Sequence, residues 1–207
     1  MNQNYRFAPP PRQSSSSTAS SIAIIAVCMV PVIGILSIYG VRRNIAFART
    51  AEAKSTVDAI ARGAAAAYER EEIDEREDLP GNQKHSLCES TGHHARGHGP
   101  VPSTVPLGKK YQPDSTPGTD FDTGTSRGGW RCLRFSITKP TYYQYNYNKG
   151  SDYLYPSSSL GLDGFEAAAR GDVDGDGVLS FFMRTGKVGA SLNLTLSTQI
   201  YIEEQFE

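Results

Sequence analysis

The residues with the plainest chemical purpose lie in RGDVDGDGVLSFF, residues 170–182, where Asp172, Asp174 and Asp176 alternate and Gly177 follows. Carboxylates at every second position converge on a hard cation, and the glycine permits the sharp turn that this requires. This is the D-x-D-x-D-G opening of a calcium loop, with Val178 placed to offer the next ligand through its carbonyl. Position twelve falls on Met183, so the bidentate glutamate that closes a full EF-hand is missing, and no helical pattern precedes the loop. Two readings stand: a weak, exchangeable calcium clip, or a polar Asp-Gly turn joining two strands.

Other reactive groups are few. Of three cysteines, Cys28 falls in an apolar segment and reads as a small buried hydrophobe. Cys88 and Cys132 lie in the polar part and would pair in an oxidising compartment, closing a loop worth roughly 4 kcal/mol; otherwise both are free thiols. His85, His93, His94 and His98 with Cys88 outline a zinc site, but the spacing in GHHARGHG matches no standard ligand frame, so a solvated His-containing loop is expected. No nucleophile–base constellation, phosphate-binding glycine loop or paired carboxylates in a cleft are legible, and no enzymatic activity is expected. A net charge of −1 leaves no footprint for nucleic acid.

The elements that must position these residues begin with a polar leader, residues 1–21. Residues 22–41, IAIIAVCMVPVIGILSIYGV, carry Ile22, Ile24, Ile25, Val30, Ile33, Ile35, Leu36 and Ile38 with no charge among them. About 20 such residues cross a hydrocarbon core as a helix. The run is longer than a signal-peptide core of roughly 7–15 residues, so a retained transmembrane anchor is expected. Pro31 should kink it locally. Arg42, Arg43, Arg49 and Lys54 follow the run and Arg6 and Arg12 precede it, a bias that alone would place the large domain in the cytoplasm.

Without an intervening turn signal, residues 42–78 continue in a helical pattern. Ala53, Val57, Ile60, Ala64 and Ala67 recur at 4-3-4-3 spacing, an apolar stripe, with Gly63 as a mild weakness in propensity. The acidic run 69–78 and Pro80–Gly81 end the pattern, giving a rod of roughly 80 Å over 22 to about 76. Residues 79–129 read as a long Gly/Pro-rich loop tethered by the cysteines, and 130–207 as an antiparallel β head. WRCLRFSI, YYQYNYN, VLSFFMRT and LSTQIYIE are strand-length runs, the second alternating Tyr143, Tyr145 and Tyr147 with Gln144, Asn146 and Asn148. The class is α+β: one long helix covering a small sheet.

The segment VIGILSIYGVRRNIAFARTAEAKSTVDAIARGAAAAYERE resembles the N-terminal helix of type IV pilins and type II secretion pseudopilins. VPSTVPLGKKYQP, GGWRCLRFSITKPTYYQYNYN and ARGDVDGDGVLSFF are similar to the later part of a subgroup of bacterial pilin-like proteins, so the resemblance covers roughly residues 22–183. It departs at the processing site, where no glycine precedes the apolar run and 22–41 lack the family's glutamate. The resemblance implies a structural subunit of a pilus or pseudopilus that assembles through its N-terminal helix, or an uncleaved membrane-anchored module displaying the same head. It implies an inner-membrane, single-pass chain with a periplasmic or extracellular head. Its partners would be the bacterial inner membrane, other pilin or pseudopilin subunits, and envelope proteins met through the 80–129 loop. Some pseudopilins carry calcium in the C-terminal part of the head, which directs attention back to Asp172, Asp174 and Asp176.

Overall fold

The computed structural model describes residues 16–70, 85–91, 99–150 and 160–206, with backbone alone for 16–28, 30, 32 and 33. The chain divides into two compact units, Met1–Ile45 and Ala46–Glu207. One helix, α1, is assigned over Ser16–Glu69 with Pro31 inside it. Residues 71–76, over which the rod was expected to continue, lie outside the described residues.

In the first unit Ile35, Leu36, Ile38, Tyr39 and Val41 are all exposed. No helix among the described residues is long and apolar enough to cross a membrane, which corrects the expected single-pass inner-membrane anchor. A hydrocarbon core about 30 Å thick needs about 20 consecutive apolar helical residues, and Arg42 and Arg43 bound the apolar stretch on its C-terminal side. Ile22, Ile24, Ile25, Val30 and Ile33, assigned to the anchor from sequence, lie outside the described side chains, as does Cys28.

The second unit is built on the stripe. Ala53, Val57, Ile60, Ala64 and Ala67 are all buried, joined by Ala61 and Tyr68. They share one core with Tyr143, Tyr145, Tyr147, Phe165 and Phe182 of an antiparallel sheet. Its strands are β1 (Gln144–Lys149), β2 (Gly164–Gly171), β3 (Ser180–Val188), β4 (Leu194–Leu196) and β5 (Tyr201–Glu203). The order is β1-β2-β3-β4, with β5 also on β3. Register places Tyr145 opposite Ala169 and Ala169 opposite Phe182, so aromatic rings flank a strand of small residues on the helix-facing side. Gly186 leaves the room that the Phe165 ring occupies; a Cβ there would run into it.

Polar contacts fix the helix on this head. A Glu52 oxygen accepts from the Thr141 hydroxyl at 2.7 Å and the Tyr142 amide at 3.3 Å. The Tyr68 hydroxyl donates to the Leu192 carbonyl at 2.9 Å, and Thr50 to that of Gln205, also at 2.9 Å. The Arg49 guanidinium sits over the Tyr142 ring at 4.4 Å. Asp58 pairs with both Arg62 and Arg184.

Three strand expectations need revision. β1 and β3 fall where YYQYNYN and VLSFFMRT place them, but LSTQIYIE divides into β4 and β5 around a bend. WRCLRFSI opens instead with a short helix, α2 (Gly129–Leu133). Gly129 turns at φ 75° to enter it and Arg134 leaves it at φ 52°, so Trp130 and Leu133, one turn apart, both face the core. β2 is a central strand that its Ala-rich sequence did not announce.

The loop is also more ordered than its composition implies. Cys88 and Cys132 form a disulfide across a sequence separation of 44. The Val101 amide donates to Tyr145 at 2.9 Å, the Tyr111 amide to Thr141 at 2.8 Å, and the Gly108 amide to Asp172 at 2.8 Å. Phe121, in a 3-10 turn at Asp120–Asp122, stacks edge-on against Trp130 with centroids 4.9 Å apart.

Gly63 acquires a positive reason here. A Cβ at this position would lie 2.9 Å from the Leu133 carbonyl oxygen, so glycine lets α1 pass close over the end of α2. Alanine would gain about 1 kcal/mol in helix propensity but must displace backbone, and overpacking costs about 1–3 kcal/mol. Gly63→Ala is therefore expected to lower the urea midpoint, a net loss of about 1 kcal/mol. A raised midpoint would mean that helix and loop separate at no cost.

Candidate functional site

The three aspartates of the calcium-like loop do come together. One carboxylate oxygen from each of Asp172, Asp174 and Asp176 lies within 4.8 Å of the others. Oxygens spaced this way suit a hard cation with metal–oxygen distances of about 2.3–2.6 Å. The loop joins β2 to β3, and two glycines with positive φ, Gly175 at 84° and Gly177 at 94°, turn it.

The aspartates do not play equal parts. Asp172 is buried, and its two oxygens accept from the amides of Gly175 at 2.6 Å and Gly177 at 2.9 Å. Its own carbonyl receives the Gly108 amide, tying the turn to the long loop. Asp174 and Asp176 are exposed. Each accepts from the amide two residues on, Asp174 from Asp176 at 3.3 Å and Asp176 from Val178 at 2.8 Å. Both sequence readings therefore have physical content: a self-bonded Asp-Gly turn that also groups three hard oxygen donors. Val178 engages through its amide, and its carbonyl is the atom a cation would use.

The remaining EF-hand positions are committed elsewhere. Ser180, at position nine, is buried and donates to the Gly171 carbonyl at 3.0 Å. Met183, at position twelve, packs with Ala168 and Phe181 in a small cluster. Any cation would be held by the loop carboxylates and a carbonyl, without a closing bidentate group.

The zinc outline loses its thiolate. Cys88 is consumed by its disulfide and is no thiolate ligand. His85 Nδ1 donates to the Tyr68 carbonyl at 2.9 Å, while His93, His94 and His98 lie outside the described residues. The tyrosine row is core: burial raises the phenol of Tyr143 to about 12 and those of Tyr145 and Tyr147 further. The Tyr147 hydroxyl donates to the Cys88 carbonyl at 3.1 Å. Gln144 and Asn146, which alternate with the tyrosines, are buried too, because the loop covers them: Gln144 donates to the Pro102 carbonyl at 2.7 Å, and Asn146 accepts from the Thr91 hydroxyl at 2.6 Å.

No family model, curated protein or solved structure matches the chain. What is established is a helix with a small antiparallel sheet, α+β.

The unequal geometry of the aspartates has a measurable consequence. Asp172→Ala removes a buried carboxylate with its two charge-assisted amide hydrogen bonds and is expected to cost about 2–4 kcal/mol in urea denaturation with chelator present. Asp174→Ala, at the surface, should stay within about 0.5 kcal/mol under the same conditions. Equal costs would show that Asp172 is not the residue that sets the turn.

Proposed function

We propose that this chain is a pilin-like structural subunit that associates with copies of itself through the N-terminal part of α1, displaying the helix-and-sheet head. The observation carrying this reading is the distribution of apolar side chains on residues 35–41. At about 100° per residue, positions 35, 36, 38, 39 and 41 cover roughly 220° of the helix circumference, and every one of them is exposed. An exposed apolar face this wide exceeds the stripe of an ordinary surface helix and calls for a covering surface. Copies of the same helix supply the matching surface. The stripe of residues 53–67 is by contrast satisfied within its own unit. The resemblance of 32–71 to pilin helices points the same way.

The test is the association state of the full chain by analytical ultracentrifugation and negative-stain microscopy, native against Leu36→Glu and Ile38→Glu. Concentration-dependent association that either charge abolishes, with an unchanged melting curve, is expected. A native chain that stays monomeric, or association indifferent to both charges, would overturn the reading.

The Asp172 loop enters this proposal as a calcium clip on the head, with Asp172, Asp174, Asp176 and the Val178 carbonyl as ligands. The hard, all-oxygen donor set supports it, and the missing twelfth ligand makes it weak. Calcium at a hundred times its dissociation constant would add about 2.7 kcal/mol to folding stability. The melting temperature is therefore expected to rise in calcium over EDTA, and the Asp174→Asn, Asp176→Asn double variant to lose that rise. Identical melting in calcium and EDTA would leave the loop as a turn alone.

A further inference from the structure

Between α1 and the segment leading into β1 lies a cleft of about 400 Å³, wholly within the second unit. Charges of both signs line it: Glu52 from the helix, Lys110 from the long loop and Lys139 from the chain before β1. Ile137, Pro140 and Tyr145 supply the apolar part of the lining. The half-buried Glu52 is fixed through one oxygen, which accepts from both the Thr141 hydroxyl and the Tyr142 amide. Its other oxygen has no bonded partner among the described residues. Lys110 lies over the Tyr142 ring at 4.9 Å. Lys139 is exposed, and its side chain makes no hydrogen bond or ion pair among the described residues. Nor does an ion pair join Glu52 to either lysine there, although all three line the same cleft.

Opposite charges that line one cleft without pairing suit a ligand carrying the complementary pair. A simple anion would meet Glu52, and a simple cation would meet the lysines. A zwitterion satisfies both, through charge-assisted hydrogen bonds at each end. The volume lies within the range of small-ligand clefts, about 300–1,000 Å³. The apolar lining has use for a hydrocarbon arm, since such sites take most of their contact from apolar surface. Burial keeps the Tyr145 phenol neutral, so it brings ring surface and a hydroxyl without a further charge. That hydroxyl already shares a hydrogen bond of 3.2 Å with Thr141, which fixes the ring before any ligand arrives. We propose that this cleft binds a free α-amino acid with an apolar side chain, its ammonium on Glu52, its carboxylate on Lys110 and Lys139, and its arm against Ile137, Pro140 and the Tyr145 ring. The cleft uses neither residues 35–41 nor the Asp172 loop, so its test is independent of the subunit reading.

The experiment is calorimetric titration of the full chain with leucine at physiological salt, beside leucinamide and N-acetylleucine. These two keep the arm but lose the carboxylate and the ammonium respectively. Saturable one-to-one heat from leucine is expected, with a dissociation constant on the order of 1 mM or tighter. Each derivative should bind roughly tenfold more weakly, having lost one set of charge-assisted bonds. Glu52→Gln keeps an oxygen for Thr141 and Tyr142 while removing the charge, and it should weaken leucine by a similar factor. Lys139→Gln should weaken it by roughly threefold or more, whereas Lys187→Gln, an exposed charge elsewhere, should stay within about twofold. If Glu52→Gln melts early, Lys139→Gln decides alone, because its side chain holds nothing in the fold. Absence of saturable heat from leucine, a derivative that binds as well as leucine, or unchanged affinity in Lys139→Gln would overturn the site.

Discussion

Everything in the folded unit depends on how closely a helix can approach a sheet. The face of α1 that meets the core is dominated by alanine, and the facing strand β2 contributes Ala167 and Ala169. Two small-residue surfaces leave space for rings, and Tyr143, Tyr145, Tyr147, Phe165 and Phe182 fill it. The stabilisation thus comes from a few large aromatic surfaces held between thin walls, not from interdigitated aliphatic chains. Aromatic residues bury about 150–250 Å² each, enough for a short sheet and one helix to share a core.

That arrangement creates a polar problem, and the long loop solves it. Strand β1 has tyrosines on one face and Gln144 and Asn146 on the other, and both faces are buried. Buried amides need partners, and the loop supplies them through the Pro102 carbonyl and the Thr91 hydroxyl. The phenol of Tyr147 reaches the Cys88 carbonyl beside the disulfide. Sheet, loop and disulfide are therefore one hydrogen-bonded system. Long loops add closure entropy only slowly with length, so a Gly/Pro-rich segment can serve as a second wall at modest cost once a covalent tether fixes both ends.

These relations explain what the sequence revealed and what it withheld. The apolar stripe was legible because every third or fourth residue repeats over several turns, and the Tyr143, Tyr145, Tyr147 row because its period is two. The pairing of Cys88 with Cys132 followed from their being the two polar-region cysteines. β2 was hidden because GFEAAARG reads locally as helix-forming; its strand state is imposed by ladders on both sides and by rings that tolerate only small residues beneath them. WRCLRFSI misled because its apolar residues fit either period, and the choice was made by Gly129 and the disulfide. Gly63 looked like a defect because its neighbour across the interface, Leu133, is distant in sequence. In the Asp172 loop, the grouping of carboxylates was readable and their inequality was not, since only the fold decides which aspartate is buried.

The two halves of α1 solve different problems with one secondary structure. Residues 53–67 spend their apolar surface inside the folded unit, so a change there is felt as stability. Residues 35–41 have exposed apolar side chains, and exposed positions contribute little to folding, so a charge placed there should leave the fold intact. An uninterrupted helix suits such a division, because a hydrogen-bonded backbone continues whether its side chains face a core, solvent or another copy. A turn between the halves would release those backbone groups and require caps for both new ends. The absence of proline or a turn cluster across GILSIYGVRRNIAFARTAEAK spares the helix those two extra ends.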